Sequence, residues 1–292
     1  MSWGVYEAHG RNPPFGHVLD AIAACGYEGT ELGPYGYLPT APDDLRRELS
    51  ARGLGLGSSF VPLPLEDAGR RAASVESALA VARLLASQEV EELIVADDED
   101  AGRAAVAGRV PADGSAGWTG AQWREAARTL QAVAEAVGGL GMRVVVHHHA
   151  GTFVETPEEI DRLLAETTAP EVGLLLDTGH LVLGGGDPLD LLRRHGPRVG
   201  YVHLKDVRGD RLAALRAGGQ GMAAAWADGV FCPLGDGMVP FARVADALRS
   251  GGYAGWAIVE QDVVPDEGGR LVPEPAESAR RSRAYLAEAC GL

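Results

Sequence analysis

Basic residues are scarce in this chain. Lys and Arg number 26 against 41 Asp and Glu, for a formal charge of −15. A surface built for nucleic acid or an anionic membrane needs clustered Lys and Arg, so neither partner is expected. Cysteine is rarer still: Cys25, Cys232 and Cys290 are far apart, odd in number and without a Cys-x-x-Cys pair. That excludes a disulfide framework and fits a reducing compartment. No run of about 18 apolar residues occurs, and residues 1–7 carry neither a basic nor an apolar leader segment. The expected location is therefore the cytoplasm. Also missing are a phosphate-binding Gly-rich turn after the first apolar run and a Gly-x-Ser-x-Gly elbow, which removes support for an open dinucleotide-binding sheet and for a serine hydrolase.

What is present is an ordinary globular composition, 46% hydrophobic and 23% charged, enough for a sizeable core. The 40 glycines and 17 prolines do not cluster; they punctuate. Between them, eight short apolar runs at 3–6, 30–32, 54–60, 93–96, 144–147, 172–177, 199–204 and 256–260 alternate with segments of helical period. Thr156 and Asp187, each followed by Pro, read as helix N-caps. The alternation predicts α/β architecture, a single (β/α)8 TIM barrel over residues 1–292. Two long connections, about 97–120 and 207–240, the second with a helical insert near 212–226, leave strand carboxyl ends. They are expected as lids over the active-site face or as contacts of a homo-oligomer, dimer or tetramer.

The residues that end the later runs carry the chemistry. His147-His148-His149 closes the fifth, Asp177-Thr178-Gly179-His180 the sixth, His203 with Lys205-Asp206 the seventh and Glu260 the eighth. A strand alternates its faces, so His147 and His149 share one while His148 turns away, expected to bond a helix or solvent. His147, Asp177, His203 and Glu260 together offer two imidazoles and two carboxylates, a mixed donor set for a divalent ion. Mn²⁺ or Co²⁺ is favoured, with Zn²⁺, Fe²⁺ or Mg²⁺ as alternatives. Any one of these residues alone reads more simply as a helix cap or satisfied polar group. His195 reads as a helix C-terminal residue facing the dipole.

These motifs resemble a known group of enzymes. The stretch His147-His148-His149-Ala150-Gly151-Thr152-Phe153, then Leu176-Asp177-Thr178-Gly179-His180, Val202-His203-Leu204-Lys205-Asp206, Pro233-Leu234-Gly235-Asp236-Gly237 and Trp256-Ala257-Ile258-Val259-Glu260 are similar to the inosose dehydratases, within the xylose-isomerase-like barrels that include sugar isomerases and 3-epimerases. The likeness runs from about the fourth run to the C-terminus, with the N-terminal third matching weakly. The resemblance implies that His147 replaces a metal-binding Glu, as in the dehydratases, and that His149 and His180 face substrate. It implies a metal-dependent lyase that removes water from a keto-polyol such as 2-keto-myo-inositol through an enolate. His149 or His180 would be the base, expected to titrate near neutrality, and Lys205 the acid or a substrate ligand. Glu31, His149, His180 and Lys205 are the candidate substrate-binding residues. Reprotonation instead of elimination would make the same site a sugar isomerase or epimerase, and a non-catalytic polyol-binding barrel is the remaining alternative.

Overall fold

The structure is a computed structural model that describes residues 2–9, 12–168, 170–266 and 269–292. In chain order its strands are β1 (Gly29–Thr30), β2 (Gly55–Leu56), β3 (Phe60–Leu63), β4 (Glu92–Asp97), β5 (Arg143–His147), β6 (Val172–Asp177), β7 (Val199–Leu204), β8 (Asp206–Val207), β9 (Phe231–Cys232) and β10 (Ala257–Val259). The α-helices are α1 (Phe15–Ala24), α2 (Pro42–Ser50), α3 (Arg71–Ala86), α4 (Ala101–Val106), α5 (Gly120–Gly138), α6 (Pro157–Glu166), α7 (Thr178–Leu183), α8 (Pro188–His195), α9 (Gly209–Ala217), α10 (Met222–Ala227), α11 (Phe241–Ser250) and α12 (Pro275–Tyr285).

One parallel sheet runs β10-β7-β6-β5-β4-β3, and β1 pairs in parallel with β2, which lies in the same stretch of chain as β3. This is the wall of the predicted barrel. Every expected run but the first takes part in it. Residues 3–6 have strand composition, yet Gly4 sits at φ 70°, which turns the chain out of the extended form. Between β1 and β10 there is instead a cleft of about 1260 Å³ lined by Leu19, Ile22, Leu32, Val259 and Leu286.

Alternation along the strands builds the inside in layers. Ile94, Val145, Leu175 and Tyr201 form a buried cluster with Trp256 and Ile258 packed on it. Two residues further along the same strands come Ala96, His147, Asp177, His203 and Glu260, facing the same way by strand period. Gly29 and Gly55 leave room for the Trp256 ring, since a Cβ at Gly29 would lie 2.6 Å from it. The outer ring is apolar where it meets the wall: α5 buries Trp123, Ala126, Leu130, Val133 and Val137 at helical spacing, and each fully buried Leu or Val there contributes about 1.5–3 kcal/mol. Thr119 with Gln122 and Thr156 with Glu159 form capping boxes that start α5 and α6.

The two long connections contain more helix than expected, and they meet. The stretch read as loop at 97–120 carries α4, whereas the predicted insert splits at Gly218-Gly219 into α9 and α10. Arg109 donates to the Gly219 carbonyl at 2.6 Å and Arg216 to the Gly108 carbonyl at 2.8 Å. Beneath them Arg103, 1% exposed, makes a two-pronged pair with Glu159. The neighbouring Glu155 carboxylate accepts the N–H groups of Gly108 and Gly151. The result is one roof on the carboxyl-end side of the sheet. Among the described residues no helix is long and apolar enough to cross a membrane.

Candidate metal and catalytic site

The four residues proposed from the strand ends converge. His147 Nε2 lies 3.6 Å from Asp177 Oδ2, and His203 Nδ1 lies 3.7 Å from that oxygen and 3.2 Å from Glu260 Oε2. His147, Asp177 and His203 form one group able to surround an ion; Glu31, His203 and Glu260 form a second that shares His203.

Asp177 shows how a strand end can make a cap and still leave an oxygen free for a ligand's role. Its Oδ1 accepts the backbone N–H groups of Gly179 and His180, each at 2.8 Å, and so starts α7. Its Oδ2 is buried, makes no hydrogen bond and faces the two imidazoles. One oxygen thus takes the cap reading, and the other is left available for the ligand reading.

Charge balance comes from Lys205, which is buried to 1% exposure. Its Nζ stands 3.0 Å from Glu260 Oε2, 3.2 Å from Asp262 Oδ1 and 3.3 Å from Asp177 Oδ2. Burial alone would raise the carboxyls of Asp177 and Glu260, yet both are held well below the usual range. Lys205 does this for Asp177, and His203 and Lys205 for Glu260. Burial likewise opposes charge on His203 and Lys205, but the carboxylates around them push both upward. Gly179 makes the lysine's path possible: a Cβ there would sit 2.5 Å from Lys205 Cγ.

The other histidines differ in what their nitrogens face. His149 Nδ1 lies 2.8 Å from the Ala150 carbonyl, so that nitrogen carries the hydrogen and Nε2 is left as the lone-pair atom. The His180 ring centroid lies 3.7 Å from that of His149 with the two planes tilted by 38°; its Nδ1 accepts the Ala150 N–H and its Nε2 lies 2.9 Å from Lys205 Nζ. Burial, with cationic neighbours adding to it, lowers His149 to about 3 and His180 well below its ordinary value. Both are therefore neutral imidazoles, weaker bases than the near-neutral titration expected for them. His148 bonds neither helix nor solvent: it is fully buried, and its Nε2 accepts the Asp177 backbone N–H at 3.3 Å. His195 does end α8, but its Nε2 pairs with Asp161 at 2.6 Å.

Glu31, expected to touch substrate, has its Oε1 2.8 Å from His203 Nε2. A carboxylate on the far nitrogen leaves Nδ1 as the one that faces the cluster, the usual support for a ligating imidazole. Sequence reasoning missed Asp262, which contacts Lys205 and accepts the Trp226 indole N–H of the roof at 3.3 Å. Its signal was the two-residue step from Glu260. Phe231, also from the roof, packs against the His180 ring at 5.4 Å. Cys232 is no nucleophile, since burial pushes its thiol up to about 12.

The donor set fits a divalent ion on this structure's own terms. Two buried atoms without hydrogen bonds, Asp177 Oδ2 and His203 Nδ1, face each other beside the carboxylates of Glu31, Glu260 and Asp262 and the one Lys205 ammonium, so negative charge is left over. A family model described as a xylose isomerase-like TIM barrel matches residues 19–289. The chain belongs to that family. The rhizopine catabolism protein MocC of Rhizobium meliloti is 35% identical over 283 residues, 97% of this chain and 85% of that protein. The inosose dehydratase of Geobacillus thermodenitrificans is 32% identical over 286 residues, 95% and 90% of the two chains. The crystal structure of the probable 3-DHS dehydratase AsbF from Bacillus anthracis matches with a TM-score of 0.70 at 17% identity, covering 97% of this chain and 98% of that one, a likeness of fold. Within this barrel family, the similarity to inosose dehydratases extends over the N-terminal third as well as the motif-bearing half.

Proposed function

We propose that this barrel is a metal-dependent dehydratase of a keto-polyol such as 2-keto-myo-inositol. The observation that carries the reading is the meeting of His147, Asp177, His203 and Glu260 at the strand ends, beside a neutral imidazole with one bare nitrogen, His149 Nε2. His147, Asp177, His203 and Glu260 would hold a divalent ion such as Mn²⁺ or Co²⁺, which would supply Lewis-acid polarisation of a ketone and so lower the pKa of the adjacent C–H. His149 Nε2 takes that proton. His180 has both nitrogens engaged, which favours His149 as the base. The electron pair of the broken C–H bond forms the enol double bond and expels the hydroxyl on the next carbon. Lys205 Nζ donates to that hydroxyl, and it leaves as water.

The test is direct. Metal content of the purified chain is measured, and the chain is incubated with 2-keto-myo-inositol. A new ultraviolet-absorbing product lighter by one water supports the reading. A product of unchanged mass overturns dehydration in favour of epimerisation or isomerisation, and no turnover of any inosose or keto-sugar with a bound ion leaves only a binding barrel.

A further inference from the structure

Lys205 and the candidate ion draw on the same oxygens. Nζ is within 3.3 Å of Asp177 Oδ2 and Glu260 Oε2, both assigned above as ligands, and 3.2 Å from Asp262 Oδ1, which is not. Asp262 belongs to neither ligand group and is 5% exposed. Its second oxygen is taken from the other side by Trp226, on α10 of the roof. The lysine stem has little freedom: Gly179 lies along it, and the Phe231 ring centroid is 5.3 Å from Nζ. Nζ also lies 2.9 Å from His180 Nε2, so small displacements of it trade contact with the ligand carboxylates for contact with Asp262 on the His180 side.

Resting on the ion assignment above, we propose that Asp262 is a positioning residue that receives the Lys205 ammonium when a divalent ion takes Asp177 and Glu260. Two cations cannot share those two carboxylates at close range without strong repulsion. Without a second anionic partner the lysine opposes ion binding; with Asp262 in place it has a partner outside the ligand set, stays in the site and keeps its donors for the substrate hydroxyl. The roof has a part in this, because Trp226 fixes the carboxylate that holds the lysine aside.

The experiment is a double-mutant cycle read in ion affinity. The full chain, stripped with a chelator, is titrated with Co²⁺ by calorimetry as wild type, Asp262→Asn, Lys205→Met and the double variant. Asp262→Asn is expected to weaken Co²⁺ binding about tenfold or more, within the range of outer-sphere support. Lys205→Met is expected to tighten it, and in that background Asp262→Asn to cost under about threefold, a coupling that independent sites do not show. An equal loss from Asp262→Asn in both backgrounds, or no tightening in Lys205→Met, overturns the proposal while leaving the ion site standing. No binding of Co²⁺ by the wild type overturns the ion assignment itself and this proposal with it. Should Lys205→Met not fold when stripped, Lys205→Gln prepared with Co²⁺ and titrated with a competing chelator yields the same constants.

Discussion

Two buried aspartates end neighbouring parts of the barrel wall, and they live in opposite electrostatic worlds. Asp97 closes β4 and is 3% exposed; Asp177 closes β6 and is fully buried. Around Asp97 stand a backbone N–H from Phe153 and the acidic Glu66 and Asp98, and burial pushes its carboxyl up to about 8. Around Asp177 stand Lys205 and His203, with the His147 and His180 rings beside them, and its carboxyl stays low despite the same burial. Cationic partners, not depth, decide which buried acid is an anion. They lie at the carboxyl end of β7, His203 on the strand and Lys205 just past it, while the shorter β1, β2 and β3 end in Thr30, Leu56 and Leu63.

The strongest way to break this division is His203→Ala. Loss of bound ion and a fall of about 10⁴-fold or more in kcat/KM are expected, the scale of disabling a catalytic unit. Asp97→Asn should leave ion content intact, and an equal loss in both would erase the distinction. His149→Ala is expected to lower kcat about 10²–10⁴-fold with ion content unchanged, as read by turnover alongside metal analysis. In the roof, Arg103→Met leaves the buried Glu155 and the half-buried Glu159 without their cation, and chemical unfolding should show a loss of about 3–5 kcal/mol.

Glu31→Gln keeps the shape beside His203 and removes the charge; Co²⁺ affinity should fall about 10–100-fold. The smallest effect sharpens the comparison at β4. Between the unfolded value near 3.8 and the folded value of about 8, the native Asp97 carboxyl keeps a proton that the unfolded chain has lost. Stability therefore falls as pH rises through that window and levels off above it. Asp97→Asn carries no such proton, so thermal unfolding should show a flatter profile and a gain on the order of 1–2 kcal/mol at pH 8.

The half that carries the candidate metal site was legible because its strands are regular. Counting by two from Val145, Leu175, Tyr201 and Ile258 leads to His147, Asp177, His203 and Glu260, and period and topology then place all four at one mouth. Asp262 escaped because it follows the end of β10, where no ladder vouches for alternation. The six residues of α4 are too few for an apolar stripe to declare itself. Residues 3–6 misled for the reverse reason: Trp, Val and Tyr favour strands, but the backbone of Gly4 does not follow. The partner of Glu31 lies 172 positions away, a distance no local pattern spans.

The divided carboxylate of Asp177 has a mechanical consequence. With one oxygen pinned by two backbone N–H groups, the group cannot turn to suit an arriving ion, so the place where Oδ2 points is decided when α7 forms. The reorganisation that a free side chain would undergo at binding is completed during folding. The same peptide group that pins the oxygen belongs to His180, so the position of that ring and the direction of the ligand oxygen move as a single part.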